Sequence, residues 1–234
     1  MQRPAKRART TKSSFVRTTP YSRRKAVLAS RSRLVKTIKA VTKRVAEPKT
    51  KRINCLKTEL YHNAPYTVCL NTSTSMPNQG VADNERVGDQ IYTQNWRLRM
   101  LIGQKGDRPN VSFRWFVLKA PKGSSYSYSD WFINVTTNVM LDDINTDYLK
   151  VLKSGLWRPN EAGLTATGND EYTFVKEIIV PYKKLVKFGP ADGARTHNDD
   201  DIWFLLCAYD AYGSLGSDNV AYIQVHQEVN YKDP

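Results

Sequence analysis

Acidic residues are almost absent from the first 52 positions of this 234-residue chain, where Glu47 stands alone. Aromatic residues are nearly as scarce there: Phe15 and Tyr21 precede position 53, and the other 23 follow it. A segment so poor in large apolar groups cannot bury enough surface to offset its ordering entropy, which excludes an independently folded enzyme domain at this end. Cysteine is scarce throughout. Cys55, Cys69 and Cys207 lie far apart with no C-x-x-C pair, which argues against a zinc ribbon or a disulfide framework and for buried free thiols in a reducing compartment. Histidine is limited to His62, His197 and His226. None sits in an H-E-x-x-H arrangement and no G-x-S-x-G occurs, so the chain reads as a non-enzyme. No apolar run approaches the ~18 residues of a membrane span, and no secretory leader is recognisable.

What is present is positive charge. The first 52 residues hold 18 of the 36 Lys and Arg, a net +17, while the other 182 hold 18 bases and 21 acids, a net −3. The charge belongs to a segment rather than to the fold, the pattern of a basic tail that binds a polyanion. Residues 1–52 are therefore read as a nucleic-acid-binding arm and 53–234 as the folded body. The candidate phosphate contacts are Arg3, Lys6, Arg7 and Arg9, then Lys12 and Arg17, then Arg23, Arg24 and Lys25. Arg31, Arg33, Lys36 and Lys39 follow along the middle, and Lys43, Arg44, Lys49, Lys51 and Arg52 at the end. Each neutralised phosphate releases a counterion, so such an arm binds without sequence preference and with steep salt dependence. With almost no rings to stack on bases, it is not expected to read sequence. The same clusters fit nuclear-import signals recognised by host receptors.

The arm also has a period. Val27, Leu34, Ile38, Val41 and Val45 fall at helical spacing, with Lys25, Lys36, Lys39 and Lys43 opposite. An amphipathic helix is predicted near 23–46, with Ser22 as its cap and Pro48 as its stop. A solubilising tail, a mitochondrial transit peptide and a membrane-surface helix are alternative readings of this stretch.

Beyond position 53 the period becomes that of strands. Trp96, Leu98, Met100 and Ile102 alternate with Arg97, Arg99 and Leu101, and Val111, Phe113, Trp115 and Val117 alternate with Ser112, Arg114, Phe116 and Leu118. The run Ile202–Tyr209 is apolar on both faces, and Ala221, Ile223, Val225 and Val229 alternate near the end. Weaker strand patterns occupy 53–61, 66–71, 148–152 and 172–180, and a short helix is expected at 139–147. About eight strands with turn-rich loops and little helix predict an all-β fold, a single eight-stranded jelly-roll sandwich behind a basic, partly helical arm.

Several short motifs carry a family resemblance. In order they are Asn78-Gln79-Gly80, Arg86-Val87-Gly88-Asp89-Gln90, Trp96-Arg97-Leu98-Arg99 and Ser112-Phe113-Arg114-Trp115-Phe116-Val117. Tyr148-Leu149-Lys150-Val151-Leu152 and Leu185-Val186-Lys187-Phe188-Gly189 continue the series. This order resembles the coat proteins of small circular single-stranded DNA viruses that encode a replication protein, and is similar to the coat protein of satellite tobacco necrosis virus. The motifs themselves are read as structural: Gly88 for a backbone turn and Asp89 for hydrogen bonds to its neighbours. The resemblance implies a capsid subunit in a T=1 icosahedral shell of about 60 copies, arms inward on single-stranded viral DNA, or RNA. It places the protein in the virion, and in the host nucleus during assembly. Related shells bind calcium between subunits, and Asp199, Asp200 and Asp201 are candidate ligands, although their spacing departs from a D-x-D-x-D-G loop. A solvated loop entering the Ile202 strand is the other reading of that run, and no other cofactor is expected. The competing function is a cellular or organellar nucleic-acid-binding protein of ribosomal type with a basic extension. A negative folded body speaks against it, since such proteins usually keep positive charge on the domain.

Overall fold

Alternation of inward and outward side chains organises the long strands that follow position 46. The computed structural model describes residues 28, 30–38, 41, 46–108, 110–122, 126–133, 138–158, 172–189, 200–211 and 215–233. The chain divides into two units, Met1–Arg44 and Val45–Pro234. In the second, the strands are β1 (Glu47–Asn54), β2 (Thr58–Tyr61), β3 (Pro65–Cys69), β4 (Gln90–Gln104) and β5 (Val111–Ala120). A one-turn helix at Tyr128–Trp131 precedes β6 (Phe132–Ile133) and β7 (Asp143–Ile144). The remaining strands are β8 (Lys150–Trp157), β9 (Thr173–Lys187), β10 (Asp201–Asp210) and β11 (Asn219–Asp233).

One sheet runs β1-β11-β4-β9, with β2 also pairing β11, and the other runs β3-β10-β5-β8. The first main strand lies beside the last, and every pairing in both sheets is antiparallel. That order is a jelly roll, as the strand pattern predicts. Trp96, Leu98, Met100 and Ile102 of β4 meet Phe113, Trp115 and Val117 of β5 and Ile202, Phe204 and Leu206 of β10 in one apolar core between the sheets. The opposite face of β5 and β10 is also covered. Phe116, Leu118, Leu205 and Cys207 pack under Trp131, Phe132, Val139 and Ile144 in a second cluster, which explains why the β10 run is apolar on both faces. Gly155 lies opposite Trp115, where a Cβ would come within 2.7 Å of the indole. The glycine is required there because the ring occupies the space over it.

Three expectations change. The arm–body boundary expected at Arg52–Ile53 falls inside β1, whose whole length from Glu47 to Asn54 pairs with β11. The sequence EPKTKRIN hides this strand because Lys49 and Lys51, two of the residues on its inward face, are charged. The helix expected at 139–147 is instead a series of turns with the two-residue strand β7 on β6. The helical turn lies earlier, at 128–131, where Ser127 and Asp130 form a capping box. Finally, the Arg86–Gln90 motif is anchored by its arginine. Gly88 has open space at its α-carbon and no left-handed backbone angle, and the Asp89 side chain, though 75% exposed, lies 3.8 Å from Arg86 Nη1. Arg86 is fully buried, its guanidinium stacks 4.1 Å from the Phe188 ring, and it donates to the Gly88 carbonyl. The Asp89 carbonyl accepts from Phe188 N–H at 2.9 Å, so the motif joins the entry to β4 to the exit of β9.

In the first unit, residues 30–38 are helical, inside the predicted 23–46 span. Leu34, Ile38 and Val41 of the predicted apolar stripe are exposed, as are Leu28 and Val35. Val27 and Val45 lie outside the described residues.

Candidate nucleic-acid interface

The described arm cations are Arg31, Arg33 and Lys36, all exposed on the helical segment. Helical geometry puts Arg33 and Lys36 three positions apart on neighbouring turns, a spacing that presents cations side by side to a phosphate chain. Arg3, Lys6, Arg7, Arg9, Lys12, Arg17, Arg23, Arg24, Lys25, Lys39, Lys43 and Arg44 lie outside the described residues.

The last three expected contacts are on β1, and their surroundings differ. Lys49 is only 7% exposed at its side chain, with Nζ 3.3 Å from Asp233 Oδ2. It also donates to the Glu85 carbonyl at 3.1 Å. Val87 N–H donates to the same Asp233 oxygen at 2.7 Å. This buried pair, held by β1, β11 and the 76–89 loop, serves the fold and leaves Lys49 little reach for a phosphate. Lys51 is half-buried on the same strand. Arg52 keeps 67% side-chain exposure while its Nε sits 3.1 Å from Glu228 Oε1.

Arg52 opens a chain of ion pairs across the first sheet, from β1 through β11 and β4 to β9. Glu228 Oε2 lies 3.5 Å from Arg97 Nη1, and Arg97 Nη2 lies 2.8 Å from Glu177 Oε2, which is 3.7 Å from Arg99 Nε. His226 Nε2 joins at 3.3 Å from Glu228. Burial pushes the Glu228 carboxyl up, but hydrogen bonds from Arg52 and His226 and the nearby Arg97 charge outweigh it and hold it below the usual value. The Arg97 hydrogen bond likewise lowers Glu177. Three arginines thus share two glutamates across this face.

The candidate calcium residues are not gathered into a site among the described residues. No group of three or more His, Cys, Asp or Glu side chains converges there. Asp200 is held 2.5 Å from Lys119 Nζ, whose hydrogen bond lowers its pKa, and Asp201 opens β10 opposite Ala120. Asp199 and His197 lie outside the described residues. His62 is buried and accepts from Asp210 N–H at 3.1 Å, so it pins β10. Cys55, Cys69 and Cys207 are free thiols. Burial pushes Cys69 up to about 11 and Cys207 up to about 12, far from the reactive thiolate. Among the described residues no helix is long and apolar enough to cross a membrane.

Neither a protein-family model nor a curated protein sequence matches the chain. Among the solved structures similar to it at low identity are three of viral proteins. One is the T13 particle of infectious bursal disease virus, at 7% identity and a TM-score of 0.32, covering 79% of this chain and 31% of the other. A second, of the Gx strain of infectious bursal disease virus, has 11% identity and a TM-score of 0.18, covering 80% and 40%. The third is the VP1 protein of Trichodysplasia spinulosa-associated polyomavirus, at 12% identity and a TM-score of 0.13, covering 80% and 76%. The chain thus spans less than half the length of the first two.

Proposed function

We propose that the chain is a viral coat protein whose jelly roll builds a small icosahedral shell and whose basic arm holds the packaged genome. The observation that carries this reading is the partition of charge. A net +17 precedes position 53, while the remainder is slightly negative, and Arg52, Arg97 and Arg99 on the first sheet are held by Glu228 and Glu177. A polyanion ligand is thereby assigned to the arm, and the near-neutral body can pack beside its copies without strong self-repulsion. About 60 copies would bring roughly a thousand positive charges to the interior, suited to a single-stranded genome of a few kilobases. Single-stranded DNA is the favoured cargo, and nuclear import through the same clusters would precede assembly.

The test is electron microscopy of the recombinant protein as the full chain and without residues 1–44. Uniform shell-sized particles containing nucleic acid are expected from the full chain, and loss of that nucleic acid on truncation. A monodisperse monomer across pH and salt, or nucleic acid retained by the truncated chain, would overturn the reading. The truncation stops at 44 so that β1 stays intact.

A further inference from the structure

The outer edges β8 and β9, one in each sheet, have no strand on their far side among the described residues. Lys153 Nζ of β8 reaches the Ile179 carbonyl of β9 at 3.4 Å, so the two edges border one another. Together these strands carry six lysines and one acid, Glu177. Exposed aliphatic residues are interspersed with them: Val151, Leu156, Val175, Ile179 and Leu185 are 37–62% exposed. Long edge strands with open backbone groups and aliphatic side chains are templates for association.

A surface of opposite character lies on the outer face of the sheet that contains β8. Between Tyr126 and Leu149 there are four aspartates and no Lys or Arg. The described residues of this segment, 126–133 and 138–149, cover β5 and β10 through the second apolar cluster. Asp142 is buried and bonded to Tyr128 at 2.7 Å, whereas Asp143 and Asp147 are exposed. Leu141 and Tyr148 stand beside them, 72% and 40% exposed.

We propose that the β8–β9 edge of one copy docks on the surface formed by residues 126–133 and 138–149 of the next, a head-to-tail contact between copies of this chain. The inference rests on the coat-protein reading and specifies which surfaces build the shell. Charge decides the geometry. A two-fold contact through the edge would set lysines against lysines, while a head-to-tail contact sets them against Asp143 and Asp147 and matches aliphatic groups on both sides. Head-to-tail contacts close into rings when their rotation allows, which a shell requires. Nucleic acid would satisfy the lysines but offers no aliphatic partner for Val151, Leu156, Val175 or Ile179.

The experiment compares three full-length variants with the wild type by sedimentation velocity and electron microscopy. One carries Lys150→Glu, Lys183→Glu and Lys187→Glu, the second Asp143→Lys and Asp147→Lys, and the third all five. Each partial reversal is expected to lower particle yield by more than about ten-fold, because like charges across a contact are strongly unfavourable, and the five-fold variant to recover it. Partial variants that assemble like the wild type overturn the contact, as does a folded five-fold variant that fails to recover. Loss of nucleic acid with assembly unchanged overturns it in favour of a genome-binding edge. If a reversal unfolds the chain, Lys→Gln at the same three sites is read instead: particles should dissociate at lower salt, and no shift overturns the contact. A wild type that never assembles overturns the coat-protein reading and this contact together.

Discussion

Lys36 and Lys49 are the same residue in the same basic stretch, yet their environments have little in common. Lys36 projects from an exposed helical segment, whereas Lys49 is buried against Asp233 and the Glu85 carbonyl. The difference lies in whether an anion has been built into the fold. A cation with an internal carboxylate contributes to stability, and one exposed on the arm is left for the binding proposed above. Charge counting alone merges the two.

Truncation breaks this comparison most sharply. Removing residues 1–44 should leave a cooperative thermal transition by circular dichroism, whereas removing 1–54 strips β1 from its eight-residue ladder with β11 and should abolish the transition. A tail at 45–52 would instead give the same melt for both. Lys49→Ala comes next. It leaves Asp233 buried without its ammonium, and breaking such a pair costs about 3 kcal/mol, read from denaturant midpoints. Arg52→Ala should cost only about 0.5 kcal/mol, because an exposed pair is screened by water. Replacing Arg31, Arg33 and Lys36 together by Gln should leave the melt unchanged. The slope of log affinity against log salt for single-stranded DNA should fall by about 2.

Acid gives the smallest and most selective effect. Glu228 is held below the 4.5 of an ordinary glutamate, so its contribution to stability is fully present above pH 4.5 and is lost as pH falls through the folded value. A thermal melt followed downward from pH 5 should show this loss in the wild type. Glu228→Gln should flatten it. An unchanged slope would remove the ion-pair chain from the stability of the sheet.

The long strands were legible because their inward positions are apolar. Trp96 through Ile102 and Val111 through Val117 show period two, and both lie in the core between the sheets. β1 was not legible, since its buried position is a lysine whose partner lies at the far end of the chain. The motif Arg86–Gln90 was visible but its weight was misplaced, because only folding brings Phe188 against the arginine. For the turn at 128–131, a local signal did exist in Ser127 and Asp130. Of the candidate site, the composition located the arm, while the three β1 cations needed the structure to separate them from it.

The pairing of Glu47 with Asp233 in the β1–β11 ladder places the two limits of the jelly roll side by side. The domain is therefore close to a circle in connectivity: a short linker across that gap would leave every ladder in place. A cargo peptide grafted after position 233 would leave the domain where β1 begins.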